Sequence, residues 1–308
     1  MASERVAYVN GKWVPEAHAV LSIRDLAVTR GECAFDSART FNGRIFKLRE
    51  HLERLWSTLA YLRLPAPLTP DELFAVSEEL AASNRDSIEG DFWVTQRISR
   101  GVPVEHGGDG RPTVIVECTP IPFAHRSRWF LDGVRLVAPS VRRTPSWAVS
   151  PRAKTTNQLN VVLANYEVQA HDPWALAVLL DEHGNLTEAP GANVFIVKGD
   201  TLVTPPSTYV LPGITRGTVV DLAMKLGLYA AEASIDLYSA YNADEIFITS
   251  TSLCVCPAAS INGVEPRSGK VPGPTSRRLQ MAFSELVGLD VVAQYTSRFV
   301  RDSAGAVV

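Results

Sequence analysis

ALAVLLDEHGNLTEAPGANVFIVKGDTLVTPP, residues 175–206, is the stretch that decides the fold. Its short apolar runs are separated by His183-Gly184-Asn185 and Gly199-Asp200, where glycine and asparagine accept the backbone angles of tight turns, so it reads as a meander of short strands. Helical patterns bracket it, over 157–170 before it and, after it, from Thr215 to near Gly227 and over 275–286. Toward the N-terminus, Asn10-Gly11 and Asn42-Gly43 predict two hairpins, the second joining CAFDSARTF to RIFKL. Leu48, Leu52, Leu55, Leu59 and Leu62 then recur every three or four residues, one face of a helix that stops before Pro65 and Pro67. A further helix is expected over 71–82, and strands over 92–98 and 114–118 flank the glycine-rich HGGDG at 106–110. Hairpins and helices without regular strand–helix alternation define an α+β fold rather than a Rossmann sheet.

A chain of 308 residues is long for one compact domain. The proline-containing TPIPFAHRS predicts a connector at 119–127, between a small N-terminal α/β domain (1–118) and a larger C-terminal domain (128–308). With 46% hydrophobic and 20% charged residues the chain can fill a sizeable core, which excludes disordered, collagenous and coiled-coil classes. Thirty basic against 33 acidic residues give a net charge of -3, so no field draws it to nucleic acid or an anionic membrane. MASERVAYVNGKW lacks the apolar stretch of a signal peptide and no run approaches a membrane span, so a cytoplasmic location is expected. Cys33, Cys118, Cys254 and Cys256 are read as reduced thiols, and the C-x-C at 254–256 has no second pair at metal-site spacing, so no metal is expected. In such a chain the Asn185-Leu186-Thr187 glycosylation match is chance, and the tail after Arg301 is expected to fray.

No H-E-x-x-H, Walker loop, G-x-S-x-G or strand-borne G-x-G-x-x-G is present. The remaining candidates are each weak alone. LPGITRGTVVDLAMKLG (211–227) offers a helix N-terminus whose N–H groups could hold phosphate, but an ordinary capped helix has the same pattern. TSTS (249–252) offers hydroxyls after a strand, or only a polar loop. Lys154 in SPRAKTTNQLN is a surface charge or a Schiff-base amine, and Glu188 in NLTEAPGANVF faces water or a pyridinium nitrogen. Arg54 on the leucine-rich helix makes a surface ion pair or points at a phosphate.

Taken together and in order, RIFKLREHLERL, AKTTNQLN, NLTEAPGANVF, LPGITR and ITSTS resemble the class IV aminotransferases, pyridoxal 5'-phosphate (PLP) enzymes of fold type IV. The likeness runs from the Asn10-Gly11 hairpin to the last helix. It implies a small N-terminal domain and a larger C-terminal one with PLP between them, and an active site completed by the partner subunit of a homodimer. It implies that Lys154 holds PLP and shuttles the substrate proton, and that Glu188 pairs with the pyridine nitrogen, keeping it protonated. Arg54, the Ile214 and Thr215 backbone amides, the Thr215 hydroxyl, Thr251 and an assisting Ser250 would hold the phosphate. The implied reaction is ping-pong: an amino donor leaves its nitrogen and a 2-oxo acid acceptor takes it away.

Branched-chain enzymes typically carry YGxSVFEG where this chain has TRGECAFDSART (29–40), and many have a tyrosine where it has Gln158. D-amino acid transaminases resemble Asp25 to Gly43 without a gap, with Phe35 in place of their tyrosine, but their R-x-H carboxylate clamp is missing, because VPVEHGG follows Arg100-Gly101. The expectation is therefore a D-amino acid or (R)-amine transaminase, with L-branched-chain aminotransferase and aminodeoxychorismate lyase as alternatives. Arg30 falls where (R)-amine transaminases have a pocket histidine, so Arg30, His106 or both are expected to bind a substrate carboxylate. Phe35, Arg39 and Ser252 complete the substrate-pocket candidates, and the 101–112 loop and the 119–127 stretch are the expected specificity elements.

Overall fold

The computed structural model describes residues 4–298; the tail after Arg301 lies outside them. The chain divides into two compact units, one running to Ile121 and including Ala153–Asn157, the other made of Pro122–Arg152 and the chain from Gln158 onward.

The first unit is a six-stranded sheet covered on one face by two helices. Its strands are β1 (Val6–Val9), β2 (Lys12–Pro15), β3 (Cys33–Phe41), β4 (Arg44–Ile45), β5 (Phe92–Ser99) and β6 (Thr113–Pro120), in the order β2-β1-β6-β5-β3-β4. Both Asn-Gly pairs make the turns their sequence predicts, with φ of 48° and 84° at Asn10 and Gly11 and 51° and 73° at Asn42 and Gly43. Helix α1 (Leu26–Arg30) precedes β3, and α2 (Leu48–Leu62) and α3 (Pro70–Asn84) follow the second hairpin. The leucine stripe works as expected: Leu48, Leu52, Leu55 and Leu59 are buried against Ala34, Ala38, Val94, Ile98 and Val116. Each leucine so buried contributes about 1.5–3 kcal/mol. Helix α3 starts at a capping box in which Thr69 and Glu72 satisfy each other's backbone N–H groups, with Pro70 in the first turn.

The second unit contains α4 (Phe123–Asp132), β7 (Val134–Val137), α5 (Leu159–Gln169), β8 (Leu176–Ala177), β9 (Glu188–Ala189), β10 (Ala192–Lys198), β11 (Thr201–Thr204), α6 (Ile214–Lys225), β12 (Tyr229–Glu232), α7 (Leu237–Tyr241), β13 (Glu245–Ser250), β14 (Cys254–Ile261), α8 (Pro274–Val287) and α9 (Val291–Thr296). Its eight-stranded sheet has the order β12-β11-β10-β13-β14-β7-β8, with β9 paired to β10. The 175–206 meander supplies β8 to β11, and Asp181 closes its first turn by accepting N–H bonds from His183 and Asn185. Phe195 and Phe247 stack across β10 and β13 with ring centroids 5.0 Å apart.

Two segments differ from the sequence reading. The 119–127 stretch contains the end of β6 and the first turns of α4, because Phe123 and Phe130 bury into the second unit's core and carry a helix that the neighbouring prolines obscured. Residues 153–157 pack with the first unit through β3: Phe35 N–H donates to the Lys154 carbonyl at 3.0 Å, and Thr156 N–H to that of Cys33 at 3.1 Å. Among the described residues no helix is long and apolar enough to cross a membrane.

Candidate active site

Lys154 is held in the first unit by its backbone, its N–H donating to the Thr58 hydroxyl on α2 at 3.1 Å and its carbonyl bonded to β3. Its amine lies 4.4 Å from the centroid of the Phe35 ring. Strand alternation sends Phe35 to one face of the sheet and its neighbour Asp36 to the other, under α2. There Asp36 is fully buried and takes both Nε and Nη2 of Arg54 at 2.8 Å, and His51 Nδ1 at 2.7 Å. Burial alone would raise the Asp36 carboxyl, but Arg54 and His51 outweigh it and hold the group far below the usual carboxylate range. Burial pushes His51 down, Asp36 opposes, and the charges of Arg54 and Lys154 add to the depression, leaving a neutral ring. Arg54 is thus neither a surface charge nor a swinging one: its fork is fixed on Asp36, and a phosphate would engage other N–H groups of the guanidinium.

In the second unit, β9, β10 and β13 place Glu188, Asn193 and Thr249 in one row across three strands. One Glu188 oxygen accepts Arg143 Nη2 at 2.9 Å and Nε at 3.2 Å, and the other accepts Leu211 N–H at 3.0 Å, so the carboxylate is fixed in place. Asn193 Nδ2 donates to the Leu211 carbonyl at 2.9 Å, which ties the row to the loop entering α6. A Cβ on Gly213 would overlap Asn193 Oδ1, so a side chain there would displace Asn193 from that loop. No side chain caps α6, whose first residues are Ile214 and Thr215, and Thr215 is buried. The Thr249 hydroxyl is buried without a hydrogen-bond partner. At the β13–β14 turn Ser250 Oγ accepts Leu253 N–H at 3.0 Å and Ser252 Oγ accepts Arg126 Nη1 at 2.6 Å, while Thr251 stays half-buried between them.

Substrate-pocket candidates separate. Arg39 is completely buried, bonded to the Thr40 carbonyl at 2.9 Å, 3.8 Å from Asp91 and 4.1 Å from the Phe41 ring centroid, so it is a structural cation and not a pocket arginine. Arg30 keeps 67% of its side chain exposed, 3.9 Å from Glu32. His106 ends a short exposed turn, its carbonyl receiving Arg24 Nη1 at 3.0 Å. Cys254 and Cys256 turn their thiols to the Ser252 and Trp129 carbonyls, and burial pushes the Cys256 thiol up. Sequence reading missed Arg143, Asn193, Asp36 and His51. It also missed Arg97, which pairs with Glu117 on the same face as Phe35 and which the alternation of Val94, Thr95, Gln96, Arg97 and Ile98 would have placed there.

In the first unit an amine stands over an aromatic ring, and in the second a fixed carboxylate, an uncapped helix start and an unsatisfied buried hydroxyl are present. Groups of these kinds suit a phosphorylated pyridine aldehyde, the cofactor of a PLP-dependent enzyme. The amino-transferase class IV profile matches residues 33–261, and the chain belongs to that family of PLP-dependent aminotransferases. A candidate branched-chain-amino-acid aminotransferase of Methanocaldococcus jannaschii is 35% identical over 286 residues, covering 91% of this chain and 95% of its own. D-alanine aminotransferase of Listeria monocytogenes is 30% identical over 286 residues, covering 90% of this chain and 94% of its own. The crystal structure of Escherichia coli branched-chain amino acid aminotransferase superposes with a TM-score of 0.85 at 26% identity, covering 98% of each chain.

Proposed function

We propose that the protein moves an amino group from a D-amino acid or (R)-amine to a 2-oxo acid by a ping-pong mechanism, as a homodimer. The observation that carries the donor reading is the gap-free likeness of Asp25–Gly43 to D-amino acid transaminases, with an aromatic ring at Phe35 beside the Lys154 amine. The full-length similarity to a D-alanine aminotransferase supports it. A second reading, L-branched-chain amino acids as donors, is favoured by the likeness to the E. coli structure.

In either reading PLP, when bound, supplies the electron sink for the carbanion. Lys154 would hold it and would carry the proton to and from the substrate Cα. Glu188 would accept the ring N–H. The Ile214 and Thr215 N–H groups, the Thr215 hydroxyl, Thr251, Ser250 and Arg54 would hold the phosphate, with Thr249 a further hydroxyl on the same strand end. Helix α5 supports a homodimer, because Leu159, Val162, Leu163 and Tyr166 form an exposed apolar row at helical spacing. Leu163→Glu should move the protein toward monomer in light scattering.

Adding D-alanine, (R)-1-phenylethylamine and L-leucine separately to the purified holoenzyme and following the visible band tests the donor. Loss of the band with D-alanine or the amine supports the first reading; loss with L-leucine alone replaces it with the second.

A further inference from the structure

A carboxylate that serves a ring nitrogen has to present one oxygen in one direction, and Glu188 sits on a two-residue strand, β9, that cannot fix its side chain by packing alone. Three donors do so instead. Arg143 Nη2 and Nε converge on the same oxygen, Oε1, while Leu211 N–H takes Oε2. A carboxylate oxygen has two lone-pair sites, so Oε2 keeps a direction in which to accept a further N–H, whereas Oε1 is filled. Arg143 in turn is clamped through its backbone. Its own N–H donates to the Leu180 carbonyl at 2.8 Å, and Asn160 on α5 grips the peptides on either side, donating Nδ2 to the Arg142 carbonyl at 2.6 Å and accepting Thr144 N–H at 3.1 Å. The Arg143 and Glu188 side chains are only 17% and 12% exposed, so the pair is partly shielded from water and worth more than a surface bridge.

We propose that Arg143 is a positioning residue for the cofactor ring. By occupying Oε1 from a clamped backbone it turns Oε2 of Glu188 toward the ring nitrogen, and Asn160 sets the angle at which it does so. A planar guanidinium suits this task because Nε and Nη2 reach one oxygen together and remove its freedom to rotate. In Arg143→Gln, Glu188 keeps its charge but loses the two donors that hold Oε1, and its aim at the ring N–H spreads.

This inference rests on Glu188 being the acceptor of the ring N–H, which Glu188→Gln checks separately. The test is the ring-nitrogen NMR shift of isotope-labelled PLP bound to the parent and to Glu188→Gln, Arg143→Gln, Arg143→Lys and Asn160→Ala proteins, read beside the pH dependence of the visible band. The parent should show a protonated ring nitrogen, and Arg143→Gln should move the signal toward the unprotonated position. In the same protein kcat should fall about ten- to a hundredfold, the usual loss when the outer partner of a working ligand is removed, with KM changed by less than about threefold. Arg143→Lys should restore part of the shift, and Asn160→Ala, which leaves both charges, should move it in the same direction by less. If Glu188→Gln leaves the signal where the parent has it, the acceptor reading itself fails. If Glu188→Gln moves it and Arg143→Gln changes only the melting temperature, Arg143 is a structural bridge and the proposal is overturned.

Discussion

Each of the two units holds an arginine–carboxylate pair among its candidate site residues, and the two pairs give the same chemistry opposite roles. In the first unit the arginine, Arg54, is the group proposed to meet a ligand, and the carboxylate, Asp36, is its anchor. In the second the carboxylate, Glu188, is the proposed working group, and Arg143 is the anchor. Their geometry differs to match. Arg54 and Asp36 meet fork to fork, Nε on one oxygen and Nη2 on the other, with His51 closing the cluster under the leucines of α2. Arg143 spends two nitrogens on a single oxygen of Glu188 and leaves the second oxygen to a backbone N–H. A fork that engages both oxygens of a carboxylate makes it an immovable post, whereas a fork that closes on one oxygen leaves the other to be aimed.

The largest expected consequence of breaking this contrast is on stability. Asp36→Ala strands Arg54 under α2 and should cost about 3–5 kcal/mol in urea unfolding, with weakened PLP retention as the fork loses its anchor. Arg143→Gln removes charged hydrogen bonds from a less enclosed pair and should cost about 1.5–3 kcal/mol by the same measurement. Equal losses in the two variants would erase the distinction between post and pointer. Acid should then act on the first cluster. Below about pH 6.5 an unfolded chain protonates His51 more readily than the folded chain, whose pKa burial depresses, so stability falls with falling pH at up to about 1.4 kcal/mol per unit. Asp36 has the same sign: its contribution is present above the unfolded carboxyl pKa of about 3.9 and is lost as pH falls through and below it. The groups facing His51 are Asp36, Arg54 and Lys154, and His51→Gln should flatten the upper part of a melting-temperature profile between pH 7 and 4. The smallest effect belongs to a pair with neither role, Arg97 and Glu117, whose side chains are 35% and 24% exposed; Glu117→Gln should change unfolding free energy by less than about 1 kcal/mol.

What the sequence disclosed follows physical range. The α2 leucines and both Asn-Gly turns are local signals, and each produced the element expected. Lys154, Glu188 and the α6 start stood out only in combination, since each alone also suits an ordinary surface. The pairing of 153–157 with β3 joins residues more than a hundred positions apart, and no local pattern announces it. Asp36 reads as one more polar residue in a strand until Arg54, 18 positions later, is seen to turn back to it. Arg143 stands next to Arg142 and 45 positions before Glu188, and nothing local says which of two adjacent arginines turns to a carboxylate so far along the chain. Helix α4 was hidden because Pro120 and Pro122 resemble a loop, while the aromatics that fix it act through burial in the second unit.

In the proposed function Lys154 is the amine through which the enzyme works. Purified protein treated with borohydride, digested and mapped by mass spectrometry should carry the reduced phosphopyridoxyl group on the peptide containing Lys154, and Lys154→Ala protein should carry none while keeping its melting temperature within a few degrees. Label on another lysine, or a Lys154→Ala protein that still transfers amino groups at the parent's rate, would remove Lys154 from that role.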